Sequence, residues 1–218
     1  NRTVPHLWQY SALRPLLLRA GELTPIERAE RRVLMLANPG LEGEPFATAS
    51  IFFGLQLILP GETAPNHRHS PSAVRLIVEG DGGFTTVEGE RCPMAKGDVI
   101  LTPALLWHEH EHRGDGPMVW LDALDAPLVV KMEGAYAIEG PPQNPAERPD
   151  SSQTKYRRAG LLPYAKLERI AHRYPQFRYP WVEVRAALDD LARGAGRHEA
   201  VQLAYVNPET GEECMPVL

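Results

Sequence analysis

The order of apolar and polar residues divides the chain into three textures. At the amino-terminal end, Ser11 precedes the apolar-rich run Ala12 to Arg19 and Gly21 follows it. That predicts a short helix, made irregular by Pro15. Thr24-Pro25-Ile26-Glu27 has capping-box spacing with Pro at the first helical position, which predicts a second short helix. Arg32 to Leu36 is apolar-rich without clean alternation and stops at the turn Asn38-Pro39-Gly40, so residues 1–45 read as a helical arm. From 46 to 139 the runs shorten: Ala49 to Leu59, Ala73 to Val78, Phe84 to Val87, Asp98 to Leu101 and Met118 to Leu121. Turns such as Pro60-Gly61, Glu88-Gly89, Lys96-Gly97 and Gly114-Asp115-Gly116-Pro117 part them. Short strands at this spacing predict a mainly β domain, an antiparallel sandwich or small barrel. Residues 140–178 open with GPPQNPAERPDSSQTK, which has no periodicity and reads as a linker. In 179–218, Val184, Ala187, Leu188 and Leu191 make a helical stripe ended by Gly194 and Gly196. Val201 to Val206 and Met215 to Leu218, on either side of Asn207 to Gly211, then read as a hairpin opening a further β unit.

Composition narrows the class of protein. A 43% hydrophobic and 23% charged chain of 218 residues can bury one solid core. A net charge of −5 argues against a nucleic-acid surface, and no apolar run approaches the roughly 18 residues of a membrane span. Leu16-Leu17-Leu18, flanked by Arg14 and Arg19, is too short for a signal-peptide core. Cys92 and Cys214 make no disulfide framework and read as free thiols, which makes a reducing cytoplasm the default location.

Five of the eight histidines fall between 67 and 112. On a strand, residues i and i+2 share a face, so His67 and His69 aim two imidazoles one way and His108 and His110 repeat the device on a later strand. Two facing pairs inside a small barrel bring three or four nitrogens to one ion, and imidazole suits Fe, Zn, Cu or Ni. A set of surface histidines in loops is the alternative.

The surrounding spacing carries a resemblance. Gly61, five residues, then His67-x-His69, followed by Gly97, five residues, Pro103 and His108, resemble the two motifs of the cupin barrel, a double-stranded β-helix of jelly-roll type. Two departures stand out. Ala73 and Val74 occupy the place of the usual Glu ligand, which predicts a three-histidine centre, and Leu105 stands where the second motif usually has Gly. Three neutral imidazoles leave a divalent metal its full charge and several open positions, suited to an anionic chelate and to dioxygen.

Longer runs narrow this further. PHLW (5–8), RRVLMLANPGLEG (31–43), LQLILPGETAPNHRHSPSAVRLIVEGDG (55–82), GDVILTPALLWHEH (97–110) and WLDALDAPLV (120–129) resemble the gentisate 1,2-dioxygenase family, with its salicylate and 1-hydroxy-2-naphthoate relatives. That family consists of bicupins, and YPWVEVRAAL (179–188) and AYVNPETGEECMP (204–216) resemble the connection into the second barrel, which is absent here, as in a fragment or a truncated chain. The resemblance implies Fe(II) held by His67, His69 and His108 and dioxygen as co-substrate. It also implies ring opening of a hydroxylated aromatic acid, gentisate to maleylpyruvate foremost, between the carboxyl-bearing carbon and its hydroxylated neighbour. His110 becomes a pocket histidine that hydrogen-bonds or moves a proton, with support of His108 as the alternative. Arg75 becomes a two-pronged partner of the substrate carboxylate, with an ion pair to Glu79 or a nearby acid as the alternative. Arg31 is a second arginine toward that carboxylate, and Gln56 and Asp122 are polar pocket positions, although Asp122 can equally cap a turn. His112 reads as surface-facing, Trp107 and Trp120 as core, and Phe52 as core with packing against the aromatic ring as the alternative. The family forms tetramers, so a homo-oligomer is implied. A cupin isomerase or decarboxylase with another metal, and a non-catalytic small-molecule-binding barrel, are the competing classes.

Overall fold

The computed structural model describes residues 2–29, 32–144, 148–157, 175–193 and 201–213. Helix α1 (Tyr10–Leu23) begins at Gln9 without a side-chain cap, so Ser11 lies inside the helix, not before it. The helix buries Leu17 and Gly21. Gly21 does not close it: a Cβ there would lie 2.8 Å from Leu57, so its smallness lets the helix press onto the sheet. Tyr10 and Arg14 both donate to Glu79, at 2.6–2.7 Å, and pin the first turn to the barrel. Helix α2 (Ile26–Ala29) follows as expected.

Two six-stranded sheets face each other. One has the order β1 (Arg32–Met35), β2 (Phe52–Ile58), β9 (Met118–Leu124), β4 (Ala73–Glu79), β7 (Val99–Thr102), β12 (Arg178–Tyr179). The other runs β10 (Ala137–Glu139), β3 (Thr63–His69), β8 (His108–His112), β5 (Gly83–Val87), β6 (Glu90–Met94), β11 (Arg148–Pro149). All pairings are antiparallel except β11 with β6. This is the expected mainly β, jelly-roll-like barrel with helices at both ends of the chain. Two boundaries differ. The arm over 1–45 ends in β1, a sheet strand, because Val33 and its neighbours pair with β2. The stretch read as a linker supplies β11, helix α4 (Ser151–Tyr156) and β12, so it adds a strand to each sheet.

Buried hydrogen bonds explain that capture. Glu90, fully buried on β6, accepts from the Ser151 hydroxyl and from the Ser152 amide and hydroxyl, while Arg178 pairs with Asp98 and Asp150. Helix α3 (Ala126–Lys131) carried no clear signal, and helix α5 (Trp181–Ala192) matches the expected stripe. Of the predicted hairpin, a Val206–Glu213 bridge forms its base, and Cys214 and the second arm lie outside the described residues. Cys92 is buried.

The motif glycines Gly61, Gly80 and Gly97 have φ of 80°, 96° and 91°, the left-handed region that glycine enters at little cost. Leu105 holds φ 65° at the position where glycine is usual, so the turn is kept although the residue is not. Among the described residues no helix is long and apolar enough to cross a membrane.

Candidate metal centre

Sheet alternation brings the predicted histidines together. On β8 the burial pattern alternates, with His108, His110 and His112 inward and Glu109 and Glu111 half exposed. Opposite them, a bulge in β3 between Ala64 and His67 places His67 directly across from His108. Ligand nitrogens of His67, His69 and His108 lie within 4.8 Å of one another. Each of the three rings has its Nδ1 against a backbone carbonyl two residues away: Pro65 at 2.9 Å, Pro71 at 2.7 Å and Leu106 at 2.9 Å. A carbonyl only accepts, so Nδ1 carries the proton and Nε2 keeps the lone pair. His108 Nε2 is buried with no hydrogen-bond partner. Burial foremost, then the neighbouring His67 and His69, hold its pKa well below the ordinary 6.5, and Arg75 acts in the same direction. The Leu106 carbonyl opposes this only in part. His108 is therefore neutral near pH 7, as a ligand must be. An all-nitrogen trio, with His67 and His108 buried and His69 partly so, fits a first-row divalent cation such as Fe(II).

The facing sheet contributes charge. Arg75 and Asp122 are direct cross-strand partners on β4 and β9, both buried. Arg75 Nε lies 2.9 Å from Asp122 Oδ1, and Nη2 donates to Oδ2 at 3.1 Å. Asp122 also accepts from the Trp120 indole at 3.0 Å and from Gln56 Nε2. Asp122 thus sits within a strand as the hub of the pocket and caps no turn. Glu79 belongs to Tyr10 and Arg14, so the acid that pairs with Arg75 is Asp122. Arg75 Nη1 is turned to Thr85 Oγ1 at 3.2 Å and His110 Nδ1 at 3.3 Å. Arg75 Nε makes no hydrogen bond despite its closeness to Asp122 Oδ1.

Val33, Met35, Phe52, Gln56, His69, Ala73, Arg75, His108, Asp122 and Leu124 line a cavity of about 390 Å³ at this end of the barrel. Phe52, read as core, belongs to that wall. Val33, Met35 and Leu124 were missed, because the run from Val33 to Leu36 is apolar at every position and does not separate cavity wall from core. Ala73, at the place of a Glu ligand, supplies an apolar surface instead. Trp120 combines its core role with the bond to Asp122, and Thr85 was not foreseen. His112 is buried, not surface-facing. Alternation carries it inward, where Nδ1 accepts from Gly114 at 3.3 Å and Nε2 bonds the Gly116 carbonyl at 2.5 Å, tying the turn after β8. Arg31 lies outside the described residues.

Two facing antiparallel sheets with an inward histidine trio on one and a buried arginine–aspartate pair on the other define a cupin, and the cupin domain family model matches residues 54–124. Over its full length the chain is 55% identical to a gentisate 1,2-dioxygenase from Ralstonia sp, of which it spans 61%. A crystal structure of salicylate 1,2-dioxygenase from Pseudaminobacter salicylatoxidans superposes with TM-score 0.88 at 37% identity, covering 99% of this chain and 64% of that one. A second structure of that enzyme, described as adducts with gentisate, gives TM-score 0.87 at 35% identity, covering 99% and 62%. The chain belongs to the gentisate 1,2-dioxygenase family. It spans about three fifths of the length of these relatives.

Proposed function

We propose that this chain carries the active site of an Fe(II)-dependent ring-cleaving dioxygenase that opens a hydroxylated aromatic acid, gentisate to maleylpyruvate foremost. The observation that supports this most is a histidine trio, two of whose members, His69 and His108, share one cavity with the buried Arg75. His67, His69 and His108 would hold the ion, which when bound supplies the redox link between an electron-rich ring and dioxygen. Arg75 attracts the substrate carboxylate by charge and through its guanidinium N–H groups, and Asp122, held by Gln56 and Trp120, fixes its plane. His110 stands behind the trio to donate a hydrogen bond or move a proton at a substrate hydroxyl. Arg31 serves as a second cation for the carboxylate. Phe52, Val33 and Leu124 enclose the ring and exclude water. A homo-oligomeric, cytoplasmic enzyme is part of the same reading.

The test is to load the protein with Fe(II), supply gentisate, salicylate or 1-hydroxy-2-naphthoate, and follow dioxygen consumption and the absorbance of the opened ring. Stoichiometric uptake with gentisate supports the reading, and a preference for another acid reassigns the substrate. Metal binding without uptake points to a cupin isomerase or decarboxylase. Ligand binding without metal points to a non-catalytic barrel.

A further inference from the structure

The four inward histidines of the site divide by their neighbours. In His67, His69 and His108, Nδ1 abuts a carbonyl and donates. In His110, Nδ1 abuts the Thr85 hydroxyl at 3.1 Å, which can donate or accept, and Arg75 Nη1 at 3.3 Å, which only donates. A guanidinium can only donate, so Nδ1 of His110 accepts and its proton sits on Nε2, the reverse of the other three. We infer that Thr85 is a positioning residue that holds His110 in this Nε2–H tautomer. His110 thereby remains a hydrogen-bond donor and does not become a fourth metal ligand.

Three observations carry the assignment to Thr85. It is fully buried on β5 and lies directly across from His110 in the ladder, so the contact is built into the strand register. Its hydroxyl is closer to Nδ1 than Arg75 is, and its other acceptor, Met94 Sδ at 3.4 Å, is the weaker one. Its oxygen also accepts from Arg75 Nη1, which turns that edge of the guanidinium toward the histidine. The consequence reaches the coordination number. An imidazole with Nδ1 protonated would offer an Nε2 lone pair beside the trio and close one of the positions that a chelating acid needs. Among the described residues, the histidines whose ring nitrogens lie close enough together to share one ion are His67, His69 and His108.

The inference rests on the dioxygenase reading only for its kinetic arm. The structural arm uses the zinc-loaded, ¹⁵N-labelled protein and a long-range ¹H–¹⁵N correlation spectrum, which distinguishes the two tautomers of each ring. The expected result is Nδ1–H for His67, His69 and His108 and Nε2–H for His110. In T85V, which keeps the shape and removes the hydroxyl, His110 becomes a mixture, and T85S restores the single form. A wild-type His110 protonated on Nδ1, or one unchanged in T85V, overturns the proposal. The wild-type spectrum decides the first point even if T85V does not fold. In the kinetic arm, kcat for gentisate falls about tenfold in T85V while KM shifts by less, as loss of one neutral hydrogen bond permits. A shifted tautomer with unchanged kcat overturns the positioning role. A wild-type protein without turnover refutes the dioxygenase reading and leaves the tautomer measurement standing.

Discussion

Strands β4 and β9 each pass through both halves of the barrel interior. Inward from one end, β4 presents Ala73, Arg75 and Ile77, and β9 presents Asp122, Trp120 and Met118. Ile77 pairs with Trp120 in an apolar cluster with Ile58, Val87, Ile100 and Phe177, whereas one pleat away Arg75 pairs with Asp122. The apolar half is held by area removed from water and close packing, and it tolerates volume-conserving change. The polar half is held by the bonds that Arg75, Gln56 and Trp120 make to Asp122, each costly to strand once its partner is removed. Only the polar half can hold a cation or an acid, so the apolar half acts as the rigid support that keeps three rings on one point.

The sharpest way to break this contrast is D122A. It leaves the Arg75 charge buried without its acid and should cost about 3–5 kcal/mol in chemical denaturation. Next comes a crossed pair. I77A should lose about 2–4 kcal/mol of stability through its cavity while the folded protein binds Co(II) with unchanged affinity. H108A should lower Co(II) affinity by about a hundredfold or more, read by equilibrium dialysis, with little loss of metal-free stability. If both variants changed both quantities alike, the two halves would not be separable.

A smaller effect concerns the rim. Arg32 donates through two nitrogens to Glu62 and so ties β1, a wall of the cavity, to the turn before β3. Burial pushes the Glu62 carboxyl up, but the bonds and charge from Arg32 and the Leu59 amide outweigh it and hold the pKa below the usual 4.5. A lowered carboxylate stabilises the fold above its unfolded pKa, and that contribution is lost as pH falls through the folded value. E62Q should therefore be less stable than wild type at neutral pH by on the order of 1 kcal/mol, a gap that narrows in thermal melts as the pH falls below the usual 4.5. Smallest is L105G, which relieves a left-handed φ at a half-exposed leucine. It should raise stability by at most about 1 kcal/mol, part of the gain offset by the freer unfolded chain.

Alternation and spacing by themselves determined the barrel, its glycine turns and the histidine trio, because side chains two apart on a strand must share a face whatever they meet. The same rule, applied without exception, would have placed His112 inside. Register was not legible: that Arg75 faces Asp122 and Thr85 faces His110 depends on how distant strands align, which one residue of slip would undo. Nor did local pattern show that residues 148–149 and 178–179 each add a strand to a sheet, since Glu90 and Asp98, far off in the chain, supply the partners that order this segment. Which histidine nitrogen holds the proton was likewise decided only in three dimensions, because a tautomer follows from the atom that the ring touches and not from the residue's identity.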